Sequence, residues 1–148
     1  MGSSFLPSEI NAAFLWAQLE HLEEIQAKRK HIWNRYHDRL KTLEECDCFR
    51  MPDIPDYATN NAHMFYLVCR SLEERSGLIQ VLKDNDIVAP FHYLSLHRSE
   101  YYKDKHDGRK LPFCDGYMDT LVRMPLYYEL TDEQQDNIIN VVKRYYEE

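Results

Sequence analysis

One uninterrupted apolar periodicity near the start of the chain constrains the fold more than any other feature. Ile10, Ala13, Phe14, Ala17, Leu22, Ile25, Ile32, Tyr36, Leu40 and Leu43 recur mostly at intervals of three, four or seven residues. That is the spacing of one helical face, and neither Pro nor Gly interrupts it. Ser8 suits an N-cap and Pro7 an extended lead-in, so the pattern predicts one helix from Ser8 to Glu45. At about 1.5 Å per residue such a helix spans roughly 55 Å. A compact domain of this chain's size has a diameter of roughly 40 Å. The helix should overrun its own domain, so something outside the chain, a further domain or another subunit, is expected along its first turns.

The 148 residues suggest one domain, and 44% hydrophobic content is enough to bury a core. Eleven tyrosines suit half-buried surfaces, where the ring packs and the hydroxyl stays wet. A net charge of −7 without a basic stripe argues against nucleic-acid binding. No apolar run approaches a membrane span and the start does not read as a signal peptide. Cys46, Cys48, Cys69 and Cys114 make no disulfide framework, so free thiols and a cytoplasmic location are expected.

Beyond the helix, residues 44–59 with Pro52 and Pro55 read as a loop. His63–Cys69 reads as a buried strand, with His63 a satisfied core histidine. Ser71 and Glu74 form a capping box for a helix reaching about Asn85, with Gly77 a local weakness. Ile87–Phe91 reads as a second strand, at an edge or bent because of Pro90. Residues 92–111 form a long polar loop carrying His92, His97 and His106, and loops of that length are commonly functional. Pro112–Thr120 should be a short helix and Leu121–Leu126 a third strand. Thr131 and Gln134 form a capping box for the last helix, which buries Ile138, Ile139, Val141, Val142 and Tyr145. The sum is a small sheet covered by helices, an α/β or α+β sandwich.

His92 and His97 are the sharpest chemical candidates from residue types alone. They invite a polar ligand, an anion or sugar hydroxyls, ahead of a metal, because no HExxH or CxxC accompanies them. Gly2, Ser3 and Ser4 ahead of a helix could offer donors to a phosphate, although a solvated tail is the plainer reading. Arg123 reads as an ion-pair partner without an assigned role.

Four stretches carry a resemblance that covers the whole chain: GSSFLPSEINAAFLWAQLE (2–20), NNAHMFYLV (60–68), FHYLSLH (91–97) and LVRMPLYYELTDEQQDNII (121–139). The chain resembles the C-terminal part of the DegT/DnrJ/EryC1/StrS sugar aminotransferases. The resemblance implies the small domain of a fold-type-I, pyridoxal-phosphate-dependent transferase. It implies a connecting helix over 8–45, a small α/β domain over 46–148, and a large cofactor domain upstream that holds the Schiff-base lysine. It implies amino transfer from glutamate to a dTDP-4-keto-6-deoxyhexose in a homodimer, and a chain inactive by itself. His92, Tyr93 and His97 match a histidine–aromatic motif near the sugar nucleotide. Ser4 stands where many members have an Asn that reaches the cofactor phosphate, and Leu6 where they have an Arg, a departure that removes a cation. A binding domain that keeps the fold without the chemistry is the other reading these residues leave open.

Overall fold

A computed structural model describes residues 6–147; the Ser4 expectation lies outside them. The elements are α1 (Glu9–Leu19), α2 (Leu22–Glu45), β1 (Phe49–Arg50), β2 (Phe65–Cys69), α3 (Leu72–Asp84), α4 (Pro112–Thr120), β3 (Leu121–Met124) and α5 (Asp132–Glu147), with a single 3₁₀ turn at Leu96–Arg98. β2 is the middle strand of an antiparallel sheet in the order β1-β2-β3. α2 and α3 both pack on α5, and α3 and α4 also meet β2. The expected mixed α/β class, a small sheet covered by helices, is observed.

The predicted long helix is divided. α1 stops at Leu19, and a turn at Glu20–His21 precedes α2. His21 N–H bonds back to the Gln18 carbonyl, and Ile25 N–H to that of His21. Neither Pro nor Gly marks the break. The two segments differ in surroundings: α1 buries no residue, whereas α2 buries Ile32, Trp33, Tyr36, Leu40 and Leu43. The fully buried stripe therefore begins at Ile32; Ile25 is half-buried, and the apolar positions before it stay uncovered, Ile10 at 82% and Phe14 at 71% exposure. Ser8 caps α1 as expected, its Oγ accepting from Asn11 N.

Core packing converges on Tyr36, fully buried and stacked on Phe65 with ring centroids 5.2 Å apart. Its hydroxyl donates to the Pro125 carbonyl at 2.9 Å, and burial raises its pKa well above the usual phenol range. On the helix pair, Asp136 of α5 takes Arg35 at 2.6 Å and Arg39 at 2.7 Å from α2. Gln135, also fully buried, donates to the Ile32 carbonyl at 2.7 Å.

Two capping boxes were expected. At Thr131 the box is reciprocal: Gln134 N donates to Thr131 Oγ1 at 3.2 Å and Thr131 N to Gln134 Oε1 at 3.0 Å. At Ser71 only half forms, because Glu74 reaches one residue further back, to Arg70 N at 3.2 Å and Arg70 Nε at 2.9 Å. β3 ends at Met124, two residues before the expected Leu126, since Pro125 has no N–H to pair. β1 lies inside the stretch read as a loop; two residues are too few for a period to be seen. The predicted strand over Ile87–Phe91 is absent. Phe91 makes one antiparallel bridge to Val122, and Pro90, lacking a donor, contributes only its carbonyl, which accepts from Arg123 N at 2.9 Å.

Gly77 has a packing reason. A Cβ there would lie 2.6 Å from the Tyr145 hydroxyl, which donates to the Glu74 carbonyl at 3.0 Å. Gly77→Ala should destabilise the chain by roughly 1–3 kcal/mol in urea unfolding, the overpacking outweighing the gain of about 1 kcal/mol in helix propensity. In a Tyr145→Phe background the same change should turn neutral or stabilising. Equal effects in both backgrounds would rule out the steric account.

Candidate functional site

The site begins with a turn. In Asn60-Asn61-Ala62-His63, Asn60 Oδ1 accepts from Ala62 N at 2.7 Å and Asn61 Oδ1 from His63 N at 3.2 Å. Short amide side chains bonding two residues ahead favour such turns. Ala62 is fully buried in the left-handed region (φ 51°), and its carbonyl accepts from Arg29 Nε of α2 at 3.1 Å. The turn is thus tied to the helix layer and sets His63 just ahead of β2. His63 is exposed, not the satisfied core histidine its apolar neighbours suggest. The strand starts two residues later than expected, so the core pattern does not include it.

β3 supplies the next group. Arg123 pairs with Tyr66 across the sheet, between the buried Val122 and Met124. Its main-chain bond to Pro90 draws the following residues alongside, and Arg123 Nη1 lies 3.4 Å from His92 Nδ1. A guanidinium only donates, so His92 accepts at Nδ1 and carries its proton on Nε2. The His92 and Tyr93 rings stand 4.0 Å apart. Burial first, then the Arg123 charge and His63, push the His92 pKa below the ordinary histidine value. A cavity of about 170 Å³ is lined by His63, Arg123, Pro90 and Pro125 among others. Arg123 is half-buried, and among the described residues no carboxylate pairs with it.

His97 belongs elsewhere. Its Nε2 lies 3.2 Å from Asp115 Oδ1 of α4, an oxygen that also takes Arg98 Nε at 3.1 Å and Ser95 Oγ at 3.2 Å. The His106 ring lies tilted to that of His97, 5.0 Å between centroids, and a second cavity of about 290 Å³ is lined by His97, Tyr102, Lys105, His106 and Cys114 among others. The motif FHYLSLH therefore feeds two clusters, His92 and Tyr93 in one and His97 in the other. Two partners, Arg123 and Asp115, come from segments distant in sequence. An Arg inside an apolar strand with no acidic neighbour was the available signal for the first; nothing local marks the second.

Neither cluster fits pyridoxal phosphate as a Schiff-base site. The first has no lysine, and in the second Lys105 holds its Nζ against the Tyr101 ring, 3.2 Å from the centroid. No His, Cys, Asp or Glu group of three converges as a metal site among the described residues.

A family model for the DegT/DnrJ/EryC1/StrS aminotransferase family matches residues 1–143. The chain belongs to that family. Among solved structures, Helicobacter pylori PseC, an aminotransferase involved in the biosynthesis of pseudoaminic acid, aligns at TM-score 0.85 and 19% identity, over 99% of this chain and 39% of its own. Streptomyces venezuelae (S. venezuelae) DesV, solved with a ketimine intermediate, aligns at TM-score 0.83 and 23% identity, over 93% and 36%. The PMP form of Spr1654 from Streptococcus pneumoniae, named as a sugar aminotransferase, aligns at TM-score 0.78 and 25% identity, over 89% and 33%. The chain spans about a third of the length of these solved structures, and its fold is that of the corresponding part of fold-type-I aminotransferases.

The contact between His92 and Arg123 predicts a titration. His92 should titrate below about 6.5, the free-histidine value. Because its folded pKa is lowered, the unfolded chain binds more protons across that window. The contribution of His92 is complete above the unfolded pKa and is lost as pH falls from there toward the folded value. Arg123→Gln should move the midpoint up part of the way, burial being the larger cause. Proton NMR of the imidazole reads it, and an unmoved midpoint would remove Arg123 from the account.

Proposed function

We propose that the chain is the small domain and connecting helix of a pyridoxal-phosphate-dependent sugar-nucleotide aminotransferase. The observation that carries this reading is the family match along residues 1–143. The cofactor, when bound in such an enzyme, supplies the electron sink and amino carrier. In this reading the Schiff-base lysine lies in a large domain outside the chain, and α1, with its uncovered Ile10 and Phe14, packs against that domain or a second subunit.

The chain's own residues then act on the substrate side. His92, Tyr93 and Arg123 hold and orient the sugar nucleotide at the small-domain wall, with His97 at a neighbouring position. Ser4, by resemblance, is the residue assigned to the cofactor phosphate of a homodimer. The donor is glutamate and the acceptor a dTDP-4-keto-6-deoxyhexose. The stretches SSFLPSE and NAHMFY resemble dTDP-4-amino-4,6-dideoxygalactose transaminase in particular, which supports a product used in surface polysaccharide or enterobacterial common antigen synthesis. A cytoplasmic location accords with that pathway and with the absence, among the described residues, of a helix long and apolar enough to cross a membrane.

Borohydride reduction of the chain with pyridoxal phosphate, followed by intact mass, tests the division of labour. No stoichiometric lysine adduct is expected, nor turnover of dTDP-4-keto-6-deoxyglucose with glutamate. Adding a separately produced large domain should restore both adduct and turnover. A single stoichiometric adduct on this chain alone would contradict the domain assignment.

A further inference from the structure

The geometry points to an oxyanion subsite built from Arg123 and His63, with His92 holding Arg123, which takes a single phosphate or carboxylate group. The three come from separate elements: Arg123 from β3, His92 from the segment bridged to β3, and His63 from the turn ahead of β2. Arg123 carries the argument. A half-buried guanidinium without a carboxylate is costly, and an anion is the partner that removes the cost. The residue is also held in place, by its backbone bond to Pro90 and its contact with His92 Nδ1. Its planar fork presents paired donors suited to phosphate or carboxylate oxygens. His92 does not itself line the cavity; accepting at Nδ1, it holds the guanidinium that does.

Size and surroundings narrow the ligand. A cavity of about 170 Å³ accommodates one anionic group, not a whole nucleotide. Its remaining wall includes Met64, Val88, Pro125 and Leu126, but the lining surface as a whole is more polar than apolar, which suits an anionic group. An anion there would favour protonation of His92, opposing the lowering by Arg123 and burial. This deepens the proposed function and rests on it for the ligand's source: the group is either the nucleotide phosphate or the carboxylate of the amino donor. The oxyanion chemistry itself rests on the residues alone.

The test titrates the 148-residue chain with inorganic phosphate at constant ionic strength, following the His63 and His92 imidazole resonances by NMR. Saturable shifts at both rings and a raised His92 midpoint are expected. Arg123→Gln should weaken binding ~10-fold or more, the scale of losing about 1.4 kcal/mol. His63→Gln, at an exposed position where folding is not at stake, should weaken it by a smaller factor, while Arg70→Gln, exposed between β2 and the cap of α3, should leave it unchanged. A non-saturating response, or equal affinity in the wild-type, Arg123→Gln and His63→Gln proteins, would overturn the subsite. Competition by dTDP identifies the phosphate source and competition by glutarate the carboxylate source, and either supports the subsite. If the aminotransferase reading fails, restored turnover fails in the two-domain assay, whereas phosphate binding persists.

Discussion

The structure hangs on Tyr36. A three-stranded sheet whose strands have two, five and four residues cannot hold together by its own ladder. Tyr36 ties it to the helix layer twice, through the stacked Phe65 ring and through the hydroxyl on the Pro125 carbonyl. The second contact matters because Pro125 terminates β3, leaving a carbonyl at the strand end that needs a donor. One buried side chain thus fixes α2, the middle strand and the end of β3 relative to each other. Arg123 lies two residues before Pro125, so the position of the candidate site follows from the same contact.

The second tie is electrostatic. Asp136 between Arg35 and Arg39, and His31 3.0 Å from Asp132, join α2 to α5 along their solvent side. These pairs are partly exposed, and such pairs contribute modestly to stability. Their value lies in fixing the lengthwise register of two helices, complementing the buried Gln135 bond to the Ile32 carbonyl. Register in turn sets where Arg29 falls opposite the Ala62 carbonyl, and so where His63 emerges.

Local chemistry made much of this legible. The caps at Ser8, Ser71 and Thr131, the proline that opens α4 and the apolar face of α5 are short-range signals, and each lies where the sequence places it. What was not legible depends on partners distant in the chain. Only the burial of Ile32 onward, against α5, separates the covered part of the early helical pattern from the uncovered part. The lost strand at Ile87–Phe91 turned on whether β3 would accept a full partner on that edge, and Pro90 allows one carbonyl bond instead. For the site, His92 and Tyr93 are neighbours in sequence and stay together in space. His97, five residues further, is drawn away by Asp115, whose carboxylate is shared with Arg98 and Ser95. Spacing within a loop says little about which wall each histidine will face.

The distribution of unsatisfied features has a direction. α1 carries apolar side chains that nothing in the described chain covers, and Arg123 carries a charge that nothing there neutralises. A self-sufficient domain removes both kinds of exposure, since uncovered apolar area invites association and a half-buried unpaired cation is costly. Here they persist next to a core that is otherwise closed around Tyr36, Leu40, Phe65 and Ile139. The two deficits call for different complements, an apolar surface for the helix and an anion for the guanidinium.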